Sequence, residues 1–216
     1  MSCCYSSVGA AAQRQFSEKR ATDDLAQYRA KGPGSTTRLL LAGLAKTGPQ
    51  RGPLLDIGSG VGALTFELLD QGMTSAVGVD LSSAYVAAAA QEAARRGRSS
   101  STRFVQGDFL DVVGELPPAD VVMLDRVVCC YPDCERLLDE SLRRADRHVG
   151  ISYPRGVWYV RTWVGIQNVG RRLRGNPFRT FVHSPSVMES VIRRAGFSLI
   201  NRGSTRTWCA DIYGRA

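Results

Sequence analysis

The chain has 216 residues, 44% of them apolar, which suits one domain of ordinary size with a core that needs no disulfide or metal staples. No run of about eighteen apolar residues would span a bilayer, and the opening Met-Ser-Cys-Cys-Tyr lacks the basic start and apolar stretch of a secretory signal. Six cysteines without such a signal read as free thiols, so a cytoplasmic protein is expected. The formal charge of +8 is almost all arginine, since only Lys19, Lys31 and Lys46 are lysines. Apart from a denser group at Arg171, Arg172, Arg174 and Arg179, the arginines are spread over helices. Solvated helix faces account for that spread first, an anionic small substrate second and nucleic acid last.

Residues 1–16 are small and polar without periodicity and read as a flexible arm ahead of a single domain, 17–216. Ala21, Leu25 and Tyr28 then stand at helical spacing until Gly32-Pro33-Gly34 stops the helix. Ser35 reads as the cap of a second helix that carries Leu39, Leu40 and Leu44 on one side. Because they precede the first strand, these helices (17–48) are expected to cap the site rather than join the sheet. From there the chain alternates: strand 53–57, helix 61–70, strand 75–79, helix 83–95, strand 102–106, a turn of helix around Leu110, strand 120–124, helix 132–145 and strand 149–153. Short apolar strands between amphipathic helices mean a parallel sheet covered on both faces. The insert at 156–180 is the least regular part. Trp158, Val160, Trp163, Val164, Ile166 and Val169 give it a helix with an apolar side, for the core, for a lid over substrate, or for a membrane surface. A helix opened by Ser184-Pro185, supported by Glu189 and closed at Gly196 leads to strands 197–202 and 205–213. Joined tightly at Gly203-Ser204, these must be antiparallel neighbours. The expected fold class is therefore α/β, a Rossmann-like, mostly parallel sheet of seven strands with helices on both faces and a C-terminal antiparallel hairpin.

The most informative run is 54–62, Leu-Leu-Asp-Ile-Gly-Ser-Gly-Val-Gly. Its glycines let the backbone turn sharply from strand to helix and let a ligand approach the main chain. A pyrophosphate loop needs its third glycine at 63, where Ala63 stands, and Asp56 suits a cation rather than a phosphate. Ligands of open parallel sheets lie at the carboxyl ends of the strands, and each following strand end here offers a polar group. Asp80, eighteen residues past Gly62, can accept both hydroxyls of a ribose. Gly107-Asp108-Phe109 supplies a carboxylate for the exocyclic amine of adenine and a ring to flank it. Strand 4 ends in Asp125-Arg126, followed by Cys129-Cys130-Tyr131-Pro132. One such acid could be a helix cap, but three at successive strand ends are hard to explain that way.

This pattern resembles the class I S-adenosylmethionine-dependent methyltransferases over roughly residues 17–213, with 54–62 as motif I. The resemblance implies S-adenosylmethionine as cofactor, with Asp56 facing the amino group of its methionine part. It implies cofactor contacts at Asp56, Gly58, Ser59, Gly60 and Gly62, at Asp80 and Leu81, at Gly107, Asp108 and Phe109, and at Asp125. Residues 125–132 resemble the segment after strand 4 of the magnesium-protoporphyrin IX O-methyltransferases. Cys130, however, stands where that group has a histidine, which removes the obvious general base. The expected reaction is methyl transfer to the O, N or S of a small or medium organic acceptor, by a monomer or homodimer. Tyr131 is the first candidate to line the acceptor pocket, with Cys130 and Cys129 beside it and Tyr28 and Tyr153 in reach. His183 is a candidate base or cap residue, and His148 reads as structural. The thiols Cys129, Cys130 and Cys134, with Cys3-Cys4 on the arm, match no zinc spacing, so no metal is expected. Such a cluster could instead hold a soft metalloid during methylation. RNA methylation lacks its Asn/Asp-Pro-Pro-Tyr motif, and a non-catalytic binding module does not require every contact position to be intact.

Overall fold

A computed structural model describes residues 15–215. Most of the expected arm, with Cys3 and Cys4, lies outside the described residues. Phe16 lies within them and is no free arm: its ring meets Tyr85 and Phe178 edge-on, and its carbonyl accepts from the Ser82 hydroxyl.

Two helices, α1 (Glu18–Lys31) and α2 (Ser35–Ala45), lead into β1 (Pro53–Ile57). The alternation continues with α3 (Ala63–Asp70), β2 (Ser75–Asp80), α4 (Ser83–Arg95), β3 (Thr102–Gln106), the short α5 (Phe109–Val112) and β4 (Ala119–Leu124). Then come α6 (Cys134–Arg143), β5 (Ala145–Pro154), α7 (Trp158–Leu173), α8 (Pro185–Arg194), β6 (Phe197–Ser204) and β7 (Trp208–Arg215). The sheet order is β3-β2-β1-β4-β5-β7-β6, parallel from β3 to β5 and antiparallel at both edges of β7. The strand order reverses between β1 and β4, which opens a crevice at their carboxyl ends. Each face carries its own core. Leu54, Phe66, Val121, Met123 and Ile212 pack on one side with α1 to α4. Leu55, Phe109, Val122, Leu137, Val191 and Tyr213 pack on the other with α5, α6 and α8.

Four local expectations are corrected. Ser35 is the first helical residue of α2; Gly34 is the N-cap and no side chain caps it. That helix also belongs to the sheet layers. A Cβ on Gly43 would stand 2.8 Å from the Ile212 side chain, and one on Gly203 would stand 3.1 Å from Leu39, so both glycines let α2 lie flat on β6 and β7. Gly203-Ser204 is consequently strand, and the hairpin turns at 205–207, closed by Thr205 N–H to the Trp208 carbonyl at 2.8 Å. Finally, α3 starts at Ala63 rather than Val61, because the left-handed Gly60 and Gly62 (φ 54° and 79°) hold the loop open for one more turn.

Candidate active site

Burial is the starting point for Asp56. It lies near the end of β1 at 2% exposure, and the Thr65 hydroxyl, in the first turn of α3, donates to it at 2.7 Å. Burial pushes its carboxyl up to about 7; Thr65 opposes this, and the charges of Asp125 and Asp80 add to it. The glycine loop turns around this carboxylate. Gly58 adopts φ 68°, and a Cβ there would run into Val127 at 2.2 Å. Gly58 and Ser59 both donate to the Val79 carbonyl, and Gly60 donates to Asp80 at 2.9 Å. The Ser59 hydroxyl is buried and has no hydrogen-bond partner among the described residues.

Asp80 accepts from the N–H groups of Ser82 and Gly60, and burial raises its pKa against both. The cap of α4 is Ser82, so Asp80 is not a helix cap. Asp108 does cap α5, through the Leu110 N–H, and also accepts from the Tyr131 hydroxyl at 2.8 Å. Burial raises its pKa as well. Gly107 is kept small by Val112, 2.6 Å from where its Cβ would be. Phe109 is corrected: it is 1% exposed inside the α5–α6 core and cannot flank a ligand ring.

At the end of β4, Asp125 is held by hydroxyls from two other elements, Thr37 of α2 and Ser152 of β5, each at 2.6 Å. Arg126 follows with φ 62°, the only non-glycine among the described residues in the left-handed region. That conformation costs a side-chain-bearing residue about 1–2 kcal/mol, and three contacts fix it. Its N–H donates to Ser152 at 2.7 Å, its carbonyl accepts from the Cys129 and Cys130 thiols, and its guanidinium lies over the Trp208 ring. Beside this pair opens a cleft of about 470 Å³, lined by Thr36, Thr37, Val61, Asp125, Arg126 and Trp208 among others.

Of the candidate catalytic residues only Tyr28 lines this cleft. Its hydroxyl is taken, donating to Glu67 and accepting from Arg96. Tyr153 is locked onto buried Asp211 on the opposite face of the sheet. Tyr131, Cys130 and His183 form a second group near the β3 and β4 ends, where a His183 ring nitrogen meets the Tyr131 carbonyl at 2.9 Å. Cys129 and Cys130 lie with sulfurs 4.0 Å apart. Sharing of that hydrogen bond makes Cys130 the more acidic of the two and drives Cys129 up. Cys134 faces the α6 core, where burial raises its thiol to about 11. Over Cys130 and Leu81 sits Phe178, from the segment after α7, pinned by Phe181 N–H to the Cys129 carbonyl. That segment therefore covers the strand ends. The helix before it sends only Val160 and Val164 inward.

Residues 54–147 match the family model described as a methyltransferase domain. Those bounds include the glycine loop, Asp80, Asp108 and the Asp125–Arg126 corner. Over that stretch the chain is similar to methyltransferase domains, carried on the seven-stranded sheet described above. No curated protein sequence matches the chain. Magnesium protoporphyrin IX methyltransferase from Synechocystis PCC 6803 with bound SAM is similar in structure at a TM-score of 0.65 and 20% identity, over 84% of this chain and 78% of that one. A putative sarcosine dimethylglycine methyltransferase from Galdieria sulphuraria gives 0.66 and 15%, over 84% and 85%. The [4+2]-cyclase SpnF gives 0.61 and 14%, over 83% and 81%, so the fold alone does not set the reaction.

The chemistry of the residues at these strand ends fits S-adenosylmethionine as cofactor. Among the described residues none of Asp56, Asp80, Asp108 and Asp125 is in an ion pair. Buried and half-buried carboxylates without cations suit a ligand that brings an ammonium and a sulfonium, and the Ser59 hydroxyl suits one that brings a polar group. Thr37, Thr65, Ser152 and Trp208 are site residues that sequence reasoning missed, and Arg126 was noted at its strand end without a role. Only Thr65, one turn beyond the glycine loop, left a signal in the sequence.

Proposed function

We propose that this methyltransferase esterifies a carboxylate on a small or medium organic acceptor bound in the cleft beside Arg126. The observation that carries the reading is Arg126 itself. An exposed guanidinium is held in a strained backbone conformation at the cleft, stacked on Trp208 and without a carboxylate partner among the described residues. When bound, S-adenosylmethionine supplies a methyl group on a positively charged sulfur. Asp56 would hold its ammonium, Asp80 its ribose hydroxyls and Asp108 its adenine amine, with Ser59, Gly60 and Leu81 beside them. Thr37 and Ser152 keep Asp125 fixed at the junction between cofactor and acceptor. A carboxylate arrives already ionised, so it needs placement rather than a base. That agrees with a cleft lined by no histidine or cysteine among the described residues.

Porphyrin-type carboxyl O-methylation falls inside this class, and RNA methylation does not. A cytoplasmic monomer or homodimer, with thiols kept reduced, is part of the same reading. The paired Cys129 and Cys130 sulfurs favour thiol-assisted methylation of a soft metalloid as a second reading. Both lie off the cleft lining, so a Cys129→Ser, Cys130→Ser variant should keep full turnover with a carboxylate acceptor. The main test incubates the protein with methyl-labelled S-adenosylmethionine and a panel of organic carboxylates, seeking a base-labile methyl ester. Arg126→Gln should raise the acceptor KM at least about tenfold and leave S-adenosylhomocysteine affinity unchanged. Loss of S-adenosylhomocysteine affinity instead would assign Arg126 to the cofactor.

A further inference from the structure

Helix α7 has two apolar sides, and the larger faces outward. Trp158, Trp163, Ile166, Val169 and Leu173 are each between 59% and 83% exposed. At 100° per residue they fall within about 140° of one another around the helix, opposite the inward Val160 and Val164. An apolar face this wide on a surface helix marks a docking site rather than scattered exposure.

Its charge says what docks. Exposed Arg161 and Arg172 border the face on one side and Arg174 on the other, and none of the three is in an ion pair among the described residues. From Arg147 to Met188 the sequence holds seven arginines and no acidic residue. A second copy docked by the same face would bring these cations together with nothing to pair them. We propose that α7 lies on an anionic lipid surface, its tryptophans and aliphatic side chains entering the headgroup boundary and its arginines meeting lipid phosphates. No helix of the described residues is long and apolar enough to cross a membrane, so the contact is interfacial. The segment that continues from α7 covers Cys130 and Leu81, which places the lipid contact one short connection from the strand ends.

The test is flotation of the full chain with vesicles of phosphatidylcholine alone or mixed with phosphatidylglycerol, followed also by tryptophan emission. Two of the three tryptophans lie on this face, so docking should shift the emission to the blue. Partitioning to the anionic vesicles is expected to be at least about tenfold stronger and to fall with added salt. Trp163→Ser with Leu173→Ser, and separately Arg172→Glu with Arg174→Glu, should each lower it at least about tenfold. Both should keep the wild-type circular dichroism, because every altered side chain is exposed. Absence of binding to either vesicle, or full binding by both variants, overturns the proposal. So does a lipid-free dimer that the apolar variant dissolves.

Discussion

Glu92 and Asp56 are both closed to solvent, and the chain treats them in opposite ways. Glu92 of α4 is surrounded by Arg95, Arg96 and Arg29, and hydrogen bonds, Arg95's first, hold its carboxyl well below the usual carboxylate range. Arg96 passes the connection on, over the Tyr28 ring and to Asp70, so the cluster ties cap helix α1 to α4. Buried Asp211 is completed the same way, by Arg202 through two bonds of 2.8 Å and by Tyr153 and Tyr213. Among the described residues Asp56 receives one side-chain donor, the Thr65 hydroxyl, and no cation, and it stands near 7. A charge with a structural task is neutralised by its own chain. One left incomplete at a strand end makes a demand that a ligand can meet.

Exchanging the two carboxylates for amides is the strongest way to break that comparison. Asp56→Asn is expected to weaken S-adenosylhomocysteine binding about a hundredfold by calorimetry, the scale of losing one side of a buried charge contact. It should leave the free protein as stable as before or more so at pH 8. Retained affinity would mean that the unfinished carboxylate serves no ligand. Glu92→Gln should do the reverse, lowering unfolding stability in urea by about 2 kcal/mol with ligand affinity kept. Arg29 and Arg95 are 41% and 53% exposed and can rehydrate, which trims the ~3–5 kcal/mol typical of a fully buried pair.

The two clusters also differ in how far the sequence discloses them. Asp56 announces itself, because glycines at 58, 60 and 62 and acids at later strand ends are local patterns set by backbone turns and strand period. The strands were legible for the same reason, since buried residues fill both faces of β1 and β4. What surrounds those acids is not local. Thr37 reaches Asp125 from 88 residues away and Ser152 from 27, and no spacing rule anticipates either. Tyr28 and Tyr153 sit near the expected elements, yet Glu67 and Asp211 claim their hydroxyls. Periodicity showed that one side of α7 is apolar; which way that side faces was decided by how little of the helix the fold can cover. Arg126 in the left-handed region had no signal at all, because nothing in an arginine favours that backbone.

Titration sharpens the comparison without a substitution. The folded carboxyl of Asp56 lies at about 7, above its unfolded value near 4. Its contribution to stability is therefore present below pH ~4 and lost as pH rises through 7. A ligand that needs the ionised form must displace that proton. S-adenosylhomocysteine affinity is expected to rise up to about tenfold per pH unit approaching 7 and to level off above it. Asp56→Asn should flatten both profiles, whereas Glu92→Gln should flatten neither.

The smallest change isolates the one side-chain hydrogen bond Asp56 has among the described residues. The Thr65 hydroxyl donates to its Oδ2 at 2.7 Å and favours the ionised form. Thr65→Val keeps the shape and removes the donor, a loss of about 1–1.5 kcal/mol for a bond to a charged group. The carboxyl should then hold its proton to higher pH, moving the midpoint of the binding profile up by about one unit. Affinity would drop several-fold at pH 7 and little at pH 9, a signature that a generally loosened helix would not give. A midpoint that stays in place would show that the group titrating with the ligand is not Asp56, and Asp80, raised by burial two strand positions away in the same crevice, becomes the carboxylate to replace.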